Sequence, residues 1–142
     1  MKKILIFLFI SMLFISCESK ISSSNEPEQN LTNYQKVLLK AKEQNKSIMI
    51  KLTSEDCHFC KKMDREVFLD REVIDFLDKH FIQLTIDVKK EKLPKENLHY
   101  KVTPTFFFLT NNEKPLYRIQ GSWNKKDFIE LVEMVLKKEK GA

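Results

Sequence analysis

Glycine and proline are scarce in this chain of 142 residues, at 2 and 4, which excludes collagen-like and low-complexity architectures. Three cysteines are too few to staple a disulfide-dependent mini-protein. Arg65, Arg71 and Arg118 are the only arginines among 25 basic residues. The lysines are dispersed among 20 acids, whereas nucleic-acid faces gather their cations and read bases with arginine, so nucleic acid is excluded as a partner. Beyond the N-terminus no apolar stretch approaches the roughly 18 residues of a membrane helix, which excludes a multi-span protein. No internal repeat is visible.

What the chain has is 42% hydrophobic and 11% aromatic residues, enough for a core without covalent help. The formal charge is +5 and two of its lysines, Lys2 and Lys3, belong to a leader, so the remainder is a mildly basic, solvated surface.

That leader is Met1-Lys2-Lys3, an almost unbroken apolar run from Ile4 to Ile15, and Ser16-Cys17. These are the positive, apolar and small-residue regions of an export signal. As a helix the run spans about 18 Å, too short for a hydrocarbon core of about 30 Å. Phe14-Ile15-Ser16-Cys17 resembles a bacterial lipobox, with Phe14 where leucine is usual; cleavage would leave Cys17 N-terminal and acylated. Lipidation of Cys17 also leaves an even pair of cysteines, as an oxidising compartment requires. A plain secretory signal is the alternative. Residues 17–30, with Ser22-Ser23-Ser24 and Glu26-Pro27-Glu28, read as a flexible tether, and residues 31–142 as one domain.

Thr32 with Gln35 forms a capping box for a helix over about 33–44. Ser47–Thr53 reads as a buried strand and Phe81–Val88 as a second, with Ile82, Leu84, Ile86 and Val88 alternating. Between them, Cys57–Phe68 places Phe59, Met63 and Val67 at helical spacing, and Asp70 caps a helix bearing Val73, Ile74, Phe76 and Leu77. Thr105–Leu109 and Pro115–Ile119 make a hairpin around Asn111-Asn112-Glu113, with Pro115 suited to an edge. Asn124 caps a last helix with a Phe128, Leu131, Val132, Val135, Leu136 stripe. The expected order is α-β-α-β-β-α, an α/β sheet with helices on its faces, with Phe106-Phe107-Phe108 as core on both faces.

Cys57-His58-Phe59-Cys60 follows a buried strand and opens a helix. Unpaired N–H groups and the helix dipole there stabilise a thiolate at Cys57, and Cys60, one turn on, can attack a mixed disulfide formed at Cys57. His58, Lys61 and Lys62 add positive charge nearby. Haem attachment needs histidine where Lys61 stands. Structural zinc needs two further ligands, and only His80 and His99 remain, without finger spacing. A purely structural disulfide gains little from so small a loop. Cu(I) binding by Cys57, Cys60 and His58 stays open beside redox chemistry, because soft thiolates select it.

With Val102-Thr103-Pro104-Thr105 opening the next strand, residues 31–139 resemble the thioredoxin superfamily, which implies a thioredoxin-like fold with a central mixed β-sheet flanked by helices on both faces. The resemblance makes Pro104 a cis-proline against the Cys57–Cys60 redox disulfide, Thr103 the residue that offers its backbone to substrate, and Gly121 a glycine near the site. Asp56 through Met63, Glu66-Val67-Phe68 and Asp70 through Asp87 look most like bacterial envelope members, including the thioredoxin-like domain of a transmembrane reductant conduit and proteins that reduce apocytochrome c. Two positions depart. Asp56 stands where thioredoxin has tryptophan, and Lys51 where it has a buried acid that accepts a proton. Lys51 is then either a surface strand residue or a cation aimed at the sulfurs, and Glu55 and Asp56 are either replacement proton acceptors for Cys60 or solvated loop acids.

The resulting expectation is a lipid-anchored, periplasm-facing thiol–disulfide oxidoreductase of the bacterial envelope. It would need no cofactor or metal, would reduce disulfides of exported proteins such as apocytochrome c, and would be recharged by a membrane electron donor of the thiol-reductant type. The same site run in reverse as an oxidase or isomerase, Cu(I) delivery through Cys57 and Cys60, and a scaffold lipoprotein that keeps only the fold are the alternatives.

Overall fold

The computed structural model describes residues 31–141; the signal segment, Cys17 and the tether lie outside the described residues. Helix α1 (Asn33–Glu43) opens with the expected capping box: the Gln35 N–H donates to Thr32 Oγ1 at 3.2 Å and the Thr32 N–H to Gln35 Oε1 at 2.8 Å. It ends one residue short of Gln44, and Asn45, at φ 49°, turns the chain out, a conformation asparagine tolerates well.

Strand β1 (Ser47–Thr53) is buried on both faces because it lies inside a four-stranded sheet of order β2-β1-β3-β4. It pairs in parallel with β2 (Phe81–Asp87) and antiparallel with β3 (Thr105–Leu109), which pairs antiparallel with β4 (Pro115–Gln120). A strand enclosed on both faces has no reason to alternate, hence the continuous run Ile48-Met49-Ile50. Pro115 sits on the edge strand, where its missing N–H costs no ladder bond. Three strands follow the middle helices, at the places read for Phe81–Val88, Thr105–Leu109 and Pro115–Ile119, so the order α-β-α-β-β-α counts one strand too few.

Helices cover both faces. On one, α3 (Arg71–His80) and α4 (Lys125–Lys140) bury Val73, Leu77, Phe128, Val132 and Val135 against Met49, Phe106 and Phe108. On the other, α1 brings Ala41, Val37 and Leu38 onto Ile48, Ile50, Leu84 and Phe107. The three phenylalanines thus divide between two cores, each burial contributing about 2 kcal/mol.

The stretch read as one helix from Cys57 to Phe68 is two pieces: α2 (His58–Met63) and a π-helical turn over Asp64–Phe68. Met63 and Val67 are buried as their spacing predicts, but Phe59 is 59% exposed. It belongs to the first turn of α2, which also carries the exposed His58. Residues 88–104 form a long connection without helix or strand. Leu98 is buried, Lys95 Nζ reaches Glu113 Oε1 at 3.0 Å, and Arg118 Nη1 donates to the His99 carbonyl at 2.6 Å. So held, the segment delivers Pro104 to the start of β3.

Candidate active site

Register brings the site together. Leu52, near the end of β1, pairs with Thr105, at the start of β3, so the segment leaving β1 and the one entering β3 meet at one end of the sheet. The first carries Cys57 and Cys60; the second carries Thr103 and Pro104.

Cys57 and Cys60 are joined as a disulfide with Cα atoms 5.2 Å apart. Cys57 is the N-cap of α2: its Sγ accepts the Cys60 N–H at 3.0 Å and lies 3.3 Å from the Thr103 carbonyl oxygen, where a thiol would donate. One of the unpaired donors of a helix N-terminus thus already points at the sulfur. The two cysteines are not equivalent. Cys57 is partly exposed, whereas Cys60 is 1% exposed.

The Thr103–Pro104 peptide bond is cis, as the resemblance implies. The Pro104 carbonyl accepts the Gly121 N–H at 2.8 Å, which ties the end of β4 to the site. Two residues on, Trp123 donates its backbone N–H to Met63 Sδ at 3.4 Å and its Nε1–H to the Gln120 carbonyl at 3.1 Å. Phe59, Val102 and Trp123 are 59%, 50% and 38% exposed, so every segment that meets at the sulfur presents a large apolar side chain to solvent. Sequence reasoning missed Val102 and Trp123 and assigned Phe59 to the core. Only their adjacency to Cys57, Thr103 and Gly121 could have marked them.

Lys51 fits neither expected placement. It is 8% exposed, hence no surface residue, and its ammonium is bonded to Asp64 and lies 4.4 Å from the centre of the Phe68 ring, with no bond to either sulfur. Glu55 and Asp56 are exposed and taken up by Lys90, at 2.8 Å, and Lys89. The hydrogen bond and charge of Lys89 hold the Asp56 carboxyl below the usual carboxylate range. Both acids form ion pairs in the loop, and neither bonds to Cys60.

His58 is exposed, its ring edge-on to Phe59 at 5.7 Å. His80 packs between Phe76 and Phe81 at the end of α3, and His99 lies in the 88–104 connection, so neither joins the cysteines. Among the described residues no three His, Cys, Asp or Glu side chains are grouped to hold a metal ion.

Among solved structures, the chain is similar to a thioredoxin from Thermus thermophilus, at 24% identity over 72% of this chain and 83% of that one, with a TM-score of 0.62. It is similar to the DsbD C-terminal domain of Neisseria meningitidis in its oxidised form, at 20% identity over 70% and 89%, TM-score 0.55. It is similar also to a DsbH oxidoreductase, at 21% identity over 75% and 83%, TM-score 0.59. These likenesses establish the fold. No curated protein matches the sequence. Residues 34–136 match the thioredoxin-like domain family, and with the fold and the paired cysteines in place the chain belongs to it.

Proposed function

We propose that the protein is a thiol–disulfide oxidoreductase that reduces disulfides in exported proteins of the bacterial envelope, apocytochrome c among the candidates, while tethered to a membrane through lipidated Cys17. The observation that carries the reading is the asymmetry of the pair: an accessible Cys57 under a helix N-terminus and a buried Cys60 one turn behind it. In the reduced enzyme the Cys57 thiolate attacks one sulfur of the substrate disulfide, and the other leaves as a thiolate that takes up a proton. Cys60 then attacks Cys57 Sγ, the Cys57–substrate bond breaks, and two electrons have passed to the substrate. A dithiol of a membrane reductant restores the pair. The Thr103 backbone lies beside the sulfur to orient an extended substrate segment against Pro104, and Phe59, Val102 and Trp123 offer it apolar surface. The similarity to the DsbD C-terminal domain and to a DsbH oxidoreductase supports the redox part of this reading.

Insulin reduction with a dithiol donor tests this. Cys57→Ala should abolish turnover, and Cys60→Ala should accumulate a mixed disulfide at Cys57, visible by mass under non-reducing conditions. Turnover unchanged in both variants overturns the redox reading. Stoichiometric Cu(I) binding lost in Cys57→Ser, with no disulfide turnover in the wild type, would put metal delivery in its place.

A further inference from the structure

At the end of the sheet where the sulfurs lie, acids and cations do not balance. Every acid from Glu55 to Asp70 is in an ion pair: Glu55 with Lys90 at 2.8 Å, Asp56 with Lys89, Asp64 with Lys51, Glu66 with Lys62 at 3.9 Å and Asp70 with Lys125 at 2.9 Å. Lys61 and Lys101 are exposed and form no ion pair among the described residues. Lys61 lends the Asp56 carboxyl only a lesser attraction beside that of Lys89.

Both lysines border the reacting sulfur. The Lys61 N–H donates to the Cys57 carbonyl at 3.1 Å, which places it one turn above Cys57 on α2. Lys101 lies two residues before Thr103, whose carbonyl oxygen is 3.3 Å from Cys57 Sγ. Each of the two segments that meet at Cys57 therefore carries one free cation and one exposed apolar side chain, Phe59 on the first and Val102 on the second. Arg65 is also unpaired, but it stands two turns beyond Cys57.

We propose that Lys61 and Lys101 select the substrate: an extended segment with acidic side chains within about three residues of its cysteine, roughly 10 Å of strand. The inference rests on the redox reading above and names the substrate class of that same site. A segment laid along Thr103 and Pro104 brings its cysteine to Cys57 and its flanking residues to the two ammoniums. Acidic flanks gather at this rim during encounter, whereas lysine flanks meet like charge with no acid left free to offset it. Exposed pairs are individually weak and are screened by salt, so the discrimination is modest and fades at high ionic strength.

The test uses two synthetic peptides, each with a central cysteine in mixed disulfide with 2-mercaptoethanol, flanked by aspartates in one and by lysines in the other. The second-order rate of peptide reduction by the reduced full chain is divided by the rate of the same peptide with dithiothreitol, which removes the intrinsic reactivity of each disulfide. At low salt the wild type should favour the aspartate peptide by about tenfold, and the ratio should shrink at high salt. Lys61→Glu/Lys101→Glu should reverse the preference. A change in the reactivity of the Cys57 thiolate would move both peptides together and leave their ratio as it was. Lys40→Glu/Lys79→Glu alters the net charge equally in the last turns of α1 and α3, which lead into the starts of β1 and β2 at the far end of the sheet, and should keep the wild-type ratio. A wild type that reduces both peptides alike, or a ratio that falls equally in the two double variants, overturns the proposal while leaving the redox reading intact. Two peptides inert above background would sink the redox reading itself, and the proposal with it.

Discussion

Gly121 shows how much a single backbone conformation controls. It ends β4 at φ +89°, in the region L side chains rarely adopt, and from there its N–H reaches the Pro104 carbonyl. A Cβ built at this position meets nothing within 4 Å, so the constraint is torsional and not a matter of space. Gly121→Ala should therefore cost about 1 kcal/mol through the backbone alone. For a domain of this size that is a fall of about 4 °C in melting temperature, to be read by calorimetry. An unchanged melting temperature would show that the turn relaxes to negative φ without consequence. Cys57 and Cys60 could be picked out by residue type and spacing, and Thr103, Pro104 and Gly121 only through the resemblance to the thioredoxin superfamily. The partner of Lys51 could not: Asp64 lies on another element, and no local pattern states which carboxylate a strand lysine will find.

At the scale of elements, α3 carries a pH sensor of stability at its end. His80 meets Phe76 edge-on at 5.3 Å and Phe81 edge-on at 6.4 Å, and burial, with Lys79 and Lys140 adding repulsion, lowers its pKa from 6.5. A helix C-terminus ordinarily favours the imidazolium; here burial prevails. The unfolded chain consequently binds the proton more readily than the folded one. His80 contributes nothing above its unfolded pKa, where it is neutral in both states, and stability drains away as pH falls from about 6.5 toward the lower folded value. Urea midpoints of wild type and His80→Gln should differ most at about pH 7.5 and converge or cross toward about pH 5.5, the variant having the shallower loss. Parallel curves would refute the assignment. Most elements were legible because each is amphipathic or wholly buried at its own period, as the α4 stripe and the β1 run are. The π-helical turn after Met63 was not, since Val67 keeps its buried position across it and the apolar spacing registers no break. Nor was the exposure of Phe59, whose spacing to Met63 is that of a core residue.

For the whole molecule, the direction of electron flow depends on which redox state the fold prefers. A strong oxidant of this chemistry is one whose reduced form is stabilised, and each 30 mV of potential corresponds to about 1.4 kcal/mol between the two states. Here one backbone N–H is aimed at Cys57 Sγ, the two acids preceding it are neutralised by Lys89 and Lys90, and the one buried cation is matched by Asp64. No unopposed buried charge favours the thiolate, so the reduced form gains little. The disulfide, by contrast, closes the turn between Cys57 and Cys60 and so restrains the start of α2 in the oxidised form. The oxidised protein should melt above the reduced one, and titration against a thiol buffer should place the Cys57–Cys60 couple near the thioredoxin level of about −270 mV. A reduced form that melts higher, with a potential toward about −120 mV, would make the protein a donor of disulfides and not of electrons. The two measurements are linked, since the stability gap between the redox states and the potential describe one thermodynamic cycle. A potential near the thioredoxin level together with a more stable reduced form would mean that the dithiol couple does not equilibrate with the fold as a single unit.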